Sequence, residues 1–429
     1  MSLDQNIIRT YTEILREELV PAMGCTEPIA IAYASAILRD ALGMEPRTIR
    51  LSLSGNIIKN VKSVIVPATG GMHGIPAAVA AGVIAACPEK KLEVLCHLND
   101  ADRENISRYM AAVDLEICEL ETPNPFEVEM IGVCGEHSAH VHLVHRHTNV
   151  NLVERDGVDL TARYRSSGDT SEDTPQANRD LLNVKDIVTF ADEVPLDALR
   201  PLLLRQMRMN MAIAEEGLRG DYGASIGKLL YADGKCDLRN RARAFAAAGS
   251  DARMNGCELP VCILSGSGNQ GMTASIPVVV YGREMAVDED TLLRALIVSN
   301  LITVHQKTGI GCLSAYCGAI SAGCGCGTGI CYLGGGRYYE IAHTLVNAVA
   351  ILSGTICDGA KASCAAKIAM AVEAGIMGYE MMCAGRQFYG GDGIVTKGVE
   401  NTIRNVGRLA RDGMSGTDRE IIRIMLGEA

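Results

Sequence analysis

Seven cysteines crowd one stretch of the chain: Cys312, Cys317, Cys324, Cys326, Cys331, Cys357 and Cys364. Thiolates that converge in a chain without a secretion signal point to metal binding or catalysis more often than to disulfides. Between the two cysteine-bearing ends lies an apolar run, residues 339–356, long enough for a helix that crosses a core. Such a helix returns its end loops to one spot. The spacing does not favour zinc, whose structural sites use Cys pairs two to four residues apart. Cys324 and Cys326 are too close for that, and six residues separate Cys357 from Cys364. Iron–sulfur clusters take looser spacings. Cys312, Cys326 and Cys331 read as small core residues, because free Cys packs like a small hydrophobe. Cys357 precedes Asp358-Gly359, a turn signal that presents a thiol at a helix end.

Three further groups carry chemistry. In PAMGCTEP, Gly24 stops one helix, Thr26 caps the next and Pro28 fits its first turn. Cys25 therefore sits near a helix N-terminus, a place that lowers a thiol's pKa. A glycine-rich loop with Thr69, Gly70, Gly71 and His73 follows an apolar strand and precedes a helix, the setting of an anion cradle. It reads equally as a plain connector, and it lacks the Lys-Ser/Thr of a nucleotide loop. A second loop, LSGSGNQG, offers Ser265, Ser267, Gly268, Asn269 and Gln270, hydroxyls and amides suited to a small carboxylate. Two polar loops, one per domain, suggest a substrate site between domains. His137, His140, His142, His145 and His147 read as a solvated strand face, with a metal site as the alternative. His305 and Lys307 are candidate holders of a substrate charge, or ordinary helix-end cations.

GTICDGAKASC, with Cys317 roughly forty residues upstream, resembles the iron–sulfur L-serine dehydratase and L-cysteine desulfidase superfamily. PAMGCTEP, VPATGGMHGIPAA and LSGSGNQGMTASIPV extend that resemblance over most of the chain. It is nearest the L-cysteine desulfidase branch; the dehydratase branch has a longer spacing after Cys-Asp and a cysteine tail, whereas this sequence ends IMLGEA. The resemblance implies a 4Fe–4S cluster held by Cys317, Cys357 and Cys364. It also implies β-elimination from L-cysteine to sulfide, pyruvate and ammonia, with the loop from Ser265 binding substrate. Cys25 would be the catalytic base or a fourth cluster ligand. The rivals are an L-serine dehydratase, a pyridoxal-phosphate lyase using Lys361 or Lys367, and a non-enzymatic iron–sulfur or zinc sensor.

The elements that must position these groups follow from pattern. The 429 residues suffice for two domains, and the 48% hydrophobic content for a sizeable core. Aromatics at 4% and 45 glycines predict a helix-rich interior of small residues. A net charge of −11 without a basic stripe argues against nucleic acid. No uncharged apolar run of membrane-spanning length appears, and sixteen cysteines without a signal peptide imply the cytoplasm. The partner is a small amino acid; a homo-oligomer is left open. Residues 4–20 have helical periodicity, and residues 47–153 alternate as strands, interrupted by one helix at 75–86. The expected fold is α+β: residues 1–165 as N-terminal helices with a smaller α/β domain, a polar linker at 166–178, and residues 179–429 as a larger, mainly helical cluster domain.

Overall fold

The Asp4 side chain accepts from the Asn6 N–H and starts the helix Gln5–Glu18, which buries Tyr11, Ile14 and Leu15. Strand β1, Pro21–Met23, follows directly and pairs antiparallel with strand β8, Pro260–Cys262. This ribbon carries the turn at Cys25 to the loop that starts at Ser265. The turn is made by Gly24, at φ +61°, where a Cβ would lie 2.2 Å from Pro67. The helix Thr26–Leu42 is buried almost all round and ends at Gly43 in the left-handed region. These contacts belong to a computed structural model that describes residues 3–165, 177–311 and 313–427. Cys312 and most of the expected linker lie outside the described residues.

The helix Thr26–Leu42 supports a six-stranded sheet in the order β3-β2-β4-β5-β6-β7. Its strands are β2 Thr48–Ser54, β3 Asp114–Leu120, β4 Glu127–Cys134, β5 His137–Val144, β6 Val150–Arg155 and β7 Val158–Asp159. β2 and β3 run parallel; the other neighbours are antiparallel. Val128, Met130, Val141 and Leu143 face inward and are buried, while Glu127, Glu129, His140 and His142 alternate outward.

Two segments expected as strands are not. Around residue 65 there is only an isolated bridge, Ile65 to His73. The Thr69 hydroxyl donates to the Val66 carbonyl and accepts from the Met72 N–H, so the chain turns back at once. Residues 92–98 form short turns with N–H bonds to the carbonyl three residues back, which points Leu92, Val94 and Leu95 into the core together. Two helices, Gly55–Val61 and Asp100–Ala112, go beyond the single one expected; a capping box of Asn99 and Asp102 starts the second.

The rest of the described chain is mainly helical, so the protein is of mixed α+β class. The helix Gly318–Leu333 lies at its centre, packed by Gly268–Glu284, Glu289–Ile310, Tyr338–Ile351 and Cys364–Cys383. A Cβ on Gly323 would lie 2.2 Å from the Ala371 carbonyl, and one on Gly375 2.1 Å from the Gly323 carbonyl. The glycines of GCGCGTG thus let helix backbones touch. Cys324, Cys326 and Cys331 are buried between them, and the Cys326 thiol donates to the Gly323 carbonyl at 3.1 Å. No described helix is long and apolar enough to cross a membrane.

Candidate active site

A cavity of about 800 Å³ lies where residues from both ends of the chain meet. Cys25, Glu27, Lys59, Asn60 and His147 reach it from the sheet-bearing part. Arg253, Ser265, Ser267, Asn269, Gln270, Cys317, Cys357 and Cys364 reach it from the helical part. Four helices aim their N-termini at it. Cys25 caps Thr26–Leu42, Ser267 caps Gly268–Glu284, Cys317 caps Gly318–Leu333, and Cys364 is the first residue of Cys364–Cys383. Their free N–H groups and dipoles favour negative charge.

The backbone brings the cysteine loops together. The Cys317 N–H donates to the Thr355 carbonyl at 3.0 Å, and the Cys357 N–H to the Ala315 carbonyl at 2.7 Å. The expected helix between these loops is Tyr338–Ile351, slightly shorter than its apolar run. The neighbouring Cys317 thiol holds the Cys357 pKa below the usual thiol range, with the charges of Lys59 and Lys367 helping against burial. The Cys357 thiol and burial raise the Cys317 pKa, and burial raises that of Cys364. Lys59 is buried and paired with Asp418 at 2.5 Å. Lys361 and Lys367 both reach Asp358 at 2.5 Å, which occupies the two lysines a pyridoxal aldehyde would need.

Three thiols on one cavity wall suit an iron–sulfur cluster, which each Cys ligates at a different iron. Among the described residues no group of three or more His, Cys, Asp or Glu is arranged to hold a metal ion. Lys59, Lys367 and the helix N-termini would offset part of the negative charge that thiolates and sulfides bring in such a cluster.

Cys25 departs from its sequence expectation. Its thiol is buried among Val64, Met254 and Ala360, and burial followed by the charge of Glu27 pushes its pKa well up. Desolvation outweighs the helix N-terminus. The thiol donates to Glu27 Oε2 at 3.1 Å. Thr26 Oγ1 also donates to Oε2, at 3.0 Å, and Asn60 Nδ2 donates to Oε1 at 3.1 Å. Burial works against ionisation of Glu27, yet His147, its Nε2 4.0 Å from Oε1, and the Cys25 thiol hold its pKa down to about 2.

The loop after β8 is tied at both ends. Leu264 and Ser267 exchange backbone hydrogen bonds, the Ser265 N–H donates to Glu18 at 2.9 Å, and the Gly266 carbonyl, 3.0 Å from Thr26 Oγ1, shares that hydroxyl's single proton with Glu27. Ser265 Oγ and Gln270 Oε1 are buried without a hydrogen-bond partner. Gly268 lies behind the cavity wall, in the first turn of its helix. The structure does not bring Thr69, Gly70, Gly71 or His73 to the cavity. Thr69 is buried in its own turn, and His73 caps the helix Gly74–Ala85. Of the histidine group, His137, His140 and His142 pair with Asp156, Glu129 and Glu127 on the sheet, whereas His145 and His147 reach the cavity. His305 is held by Glu400 at 2.6 Å, while Lys307 lines the cavity.

Sequence reasoning passed over Glu27, Lys59, Asn60 and Arg253. Glu27 stands in PAMGCTEP but reads as an ordinary first-turn carboxylate. Lys59 and Asn60 lie in NIIKN, and Arg253 is one arginine among several on its helix; no local signal separates them.

Residues 89–423 match the family described as serine dehydratase alpha chain. The chain belongs to that family, which places it among ammonia-lyase-type enzymes. It is also similar along its length to UPF0597 proteins. That of Desulfitobacterium hafniense is 52% identical over 100% of this chain and 99% of its own. That of Treponema denticola is 45% identical, covering 99% and 100%. That of Aeromonas hydrophila is 38% identical, covering 97% and 95%.

Proposed function

We propose that the protein is a β-elimination lyase that converts L-cysteine and water to hydrogen sulfide, pyruvate and ammonia. The supporting observation is the convergence of Cys317, Cys357 and Cys364 with Cys25 and the Ser265 loop on one cavity. Cys317, Cys357 and Cys364 would hold a 4Fe–4S cluster. With three protein ligands, such a cluster supplies an open iron as a Lewis acid.

The chain's own residues supply binding and proton transfer. The Ser265 loop and the helix N-termini receive the polar end of the amino acid. A base must take the poorly acidic Cα proton while the Cβ–S bond breaks and sulfide leaves. The resulting 2-aminoacrylate becomes an imine and hydrolyses to pyruvate and ammonia. Cys25 is the base of this proposal. It rests as a thiol that donates to Glu27 at 3.1 Å, and its proton must leave to solvent before it acts, because a carboxylate with a pKa of about 2 is too weak a base to keep it. A thiol pKa raised by burial then makes the thiolate a stronger base than an exposed one.

The family's description favours L-serine as the rival substrate, with hydroxide leaving in place of sulfide. Anaerobic assays of both amino acids decide. The expected result is equal sulfide and pyruvate from L-cysteine, at a higher kcat/KM than pyruvate from L-serine. Pyruvate from L-serine with no sulfide from L-cysteine refutes the cysteine assignment. No product from either refutes the lyase reading.

A further inference from the structure

The loop at Ser265 offers no fixed positive charge, yet an amino acid carries a carboxylate into this cavity. The charge comes from another element. Arg253 stands near the end of the helix Leu238–Met254, is 2% exposed, and lines the cavity. Two of its nitrogens are occupied. Nε donates to the Gly24 carbonyl at 2.8 Å, and Nη1 donates to Asn269 Oδ1 at 3.1 Å. Nη2 is buried and has no hydrogen-bond partner. No carboxylate of the described residues pairs with it.

A buried guanidinium with one nitrogen unsatisfied is costly, because the charge has lost water and gained no counter-ion. Its surroundings hold it there all the same. A Cβ on Gly268 would lie 2.4 Å from Arg253 Nε, so only glycine leaves room for the guanidinium beside the Ser265 loop. Asn269 is a neutral partner where a carboxylate would have quenched the charge. Gln270 Oε1 and Asn60 Oδ1, also buried and unpartnered, provide acceptors of opposite polarity on the same cavity. A cation donor and two acceptors left open suit a zwitterion.

We propose that Arg253 Nη2 seats the α-carboxylate of the amino-acid substrate, with Asn269 as the positioning residue that aims the guanidinium. This rests on the lyase reading above for the identity of the ligand as an α-amino acid.

L-Alanine and ethylamine test it, since they differ by the carboxylate alone and neither has a leaving group. Calorimetric titration of the full, cluster-loaded chain is expected to show L-alanine binding at least tenfold tighter than ethylamine. Arg253→Met should weaken L-alanine about 10- to 150-fold, the loss of a hydrogen bond to a charged group, and leave ethylamine unchanged. Arg253→Lys, which keeps the charge without the fork, should recover part of the loss. Asn269→Asp, which gives the guanidinium an internal carboxylate, should also weaken L-alanine more than ethylamine. That variant decides the matter if Arg253→Met fails to fold. A parent protein without preference for L-alanine, or folded variants that keep the preference, overturn the assignment. The two readings fail separately. A chain that binds L-alanine through Arg253 but releases neither sulfide nor pyruvate keeps the seat and loses the lyase. A lyase whose KM is unchanged in Arg253→Met does the reverse.

Discussion

Replacing Glu27 with Gln isolates one buried, ionised group of the cavity. The carboxylate accepts from Cys25, Thr26 and Asn60 at 3.0–3.1 Å and has His147 Nε2 at 4.0 Å. Its pKa falls from 4.5 to about 2. A depressed carboxylate pKa stabilises the fold above the unfolded value, and that stability is lost as pH falls toward the folded one. The shift corresponds to ~3 kcal/mol at pH 7, shrinking to roughly 2 kcal/mol at pH 3.5. Three charged hydrogen bonds less the burial penalty give a similar order. Gln keeps one acceptor oxygen but places an NH2 where a second donor points, so nothing restores the loss. Urea unfolding of both proteins, anaerobically at pH 7 and in acid, measures it. The Gln variant is expected to be ~3 kcal/mol less stable at pH 7, with the gap narrowing below pH 4.5. A gap under ~1 kcal/mol at pH 7, or one that does not narrow in acid, refutes the account of Glu27 as a buried ionised acceptor.

Three other outcomes are open to direct measurement. Serine at Cys317, Cys357 or Cys364 should strip iron and visible absorbance from anaerobically prepared protein; retention of both in all three variants removes the ligand assignment. Cys25→Ser should lower turnover by ~10²–10⁴ while substrate still binds, and should stop solvent deuterium entering the substrate's Cα position. An unchanged rate makes Cys25 a packing residue, and lost iron makes it a ligand. Gly323→Ala places a methyl 2.2 Å from the Ala371 carbonyl and should cost ~1–3 kcal/mol of stability without changing KM in what folds, measured by unfolding and steady-state kinetics.

The parts of this site that show in the sequence are those written locally. Asp358-Gly359 reads as a break in the chain, and Gly359 does take φ +94°, although the helix starts only at Cys364; Ser265-Gly266 is a turn, but Gly268 to Gln270 already belong to the helix that follows. The alternation of β2 to β5 is similarly plain. Residues 63–70 and 92–98 misled because short apolar runs look alike whether they pair as strands or pack as turns. The protonation of Cys25 was illegible for a different reason. A helix N-terminus is visible in sequence, but the burial that overrides it comes from Val64, Met254 and Ala360, which are distant in the chain. Arg253 and Lys59 matter only through what surrounds them, and an isolated letter carries none of that.

The ribbon of β1 and β8 has a consequence for how the protein is made. Two three-residue strands, separated by more than two hundred residues, hold the Cys25 turn against the Ser265 loop. A ribosome adds ~5–20 residues per second, so β1 waits on the order of ten to fifty seconds for its partner. The loops at Cys317 and Cys357 arrive later still. Cys25 should thus remain open to thiol-labelling reagents in chains arrested before residue 260 and become shielded once β8 has emerged. Equal labelling before and after that point would mean that the turn closes without the ribbon. A cluster held as proposed would have to wait for Cys364, the last of its three thiols to be synthesised, although the helix end at Cys25 and Lys59 are made early.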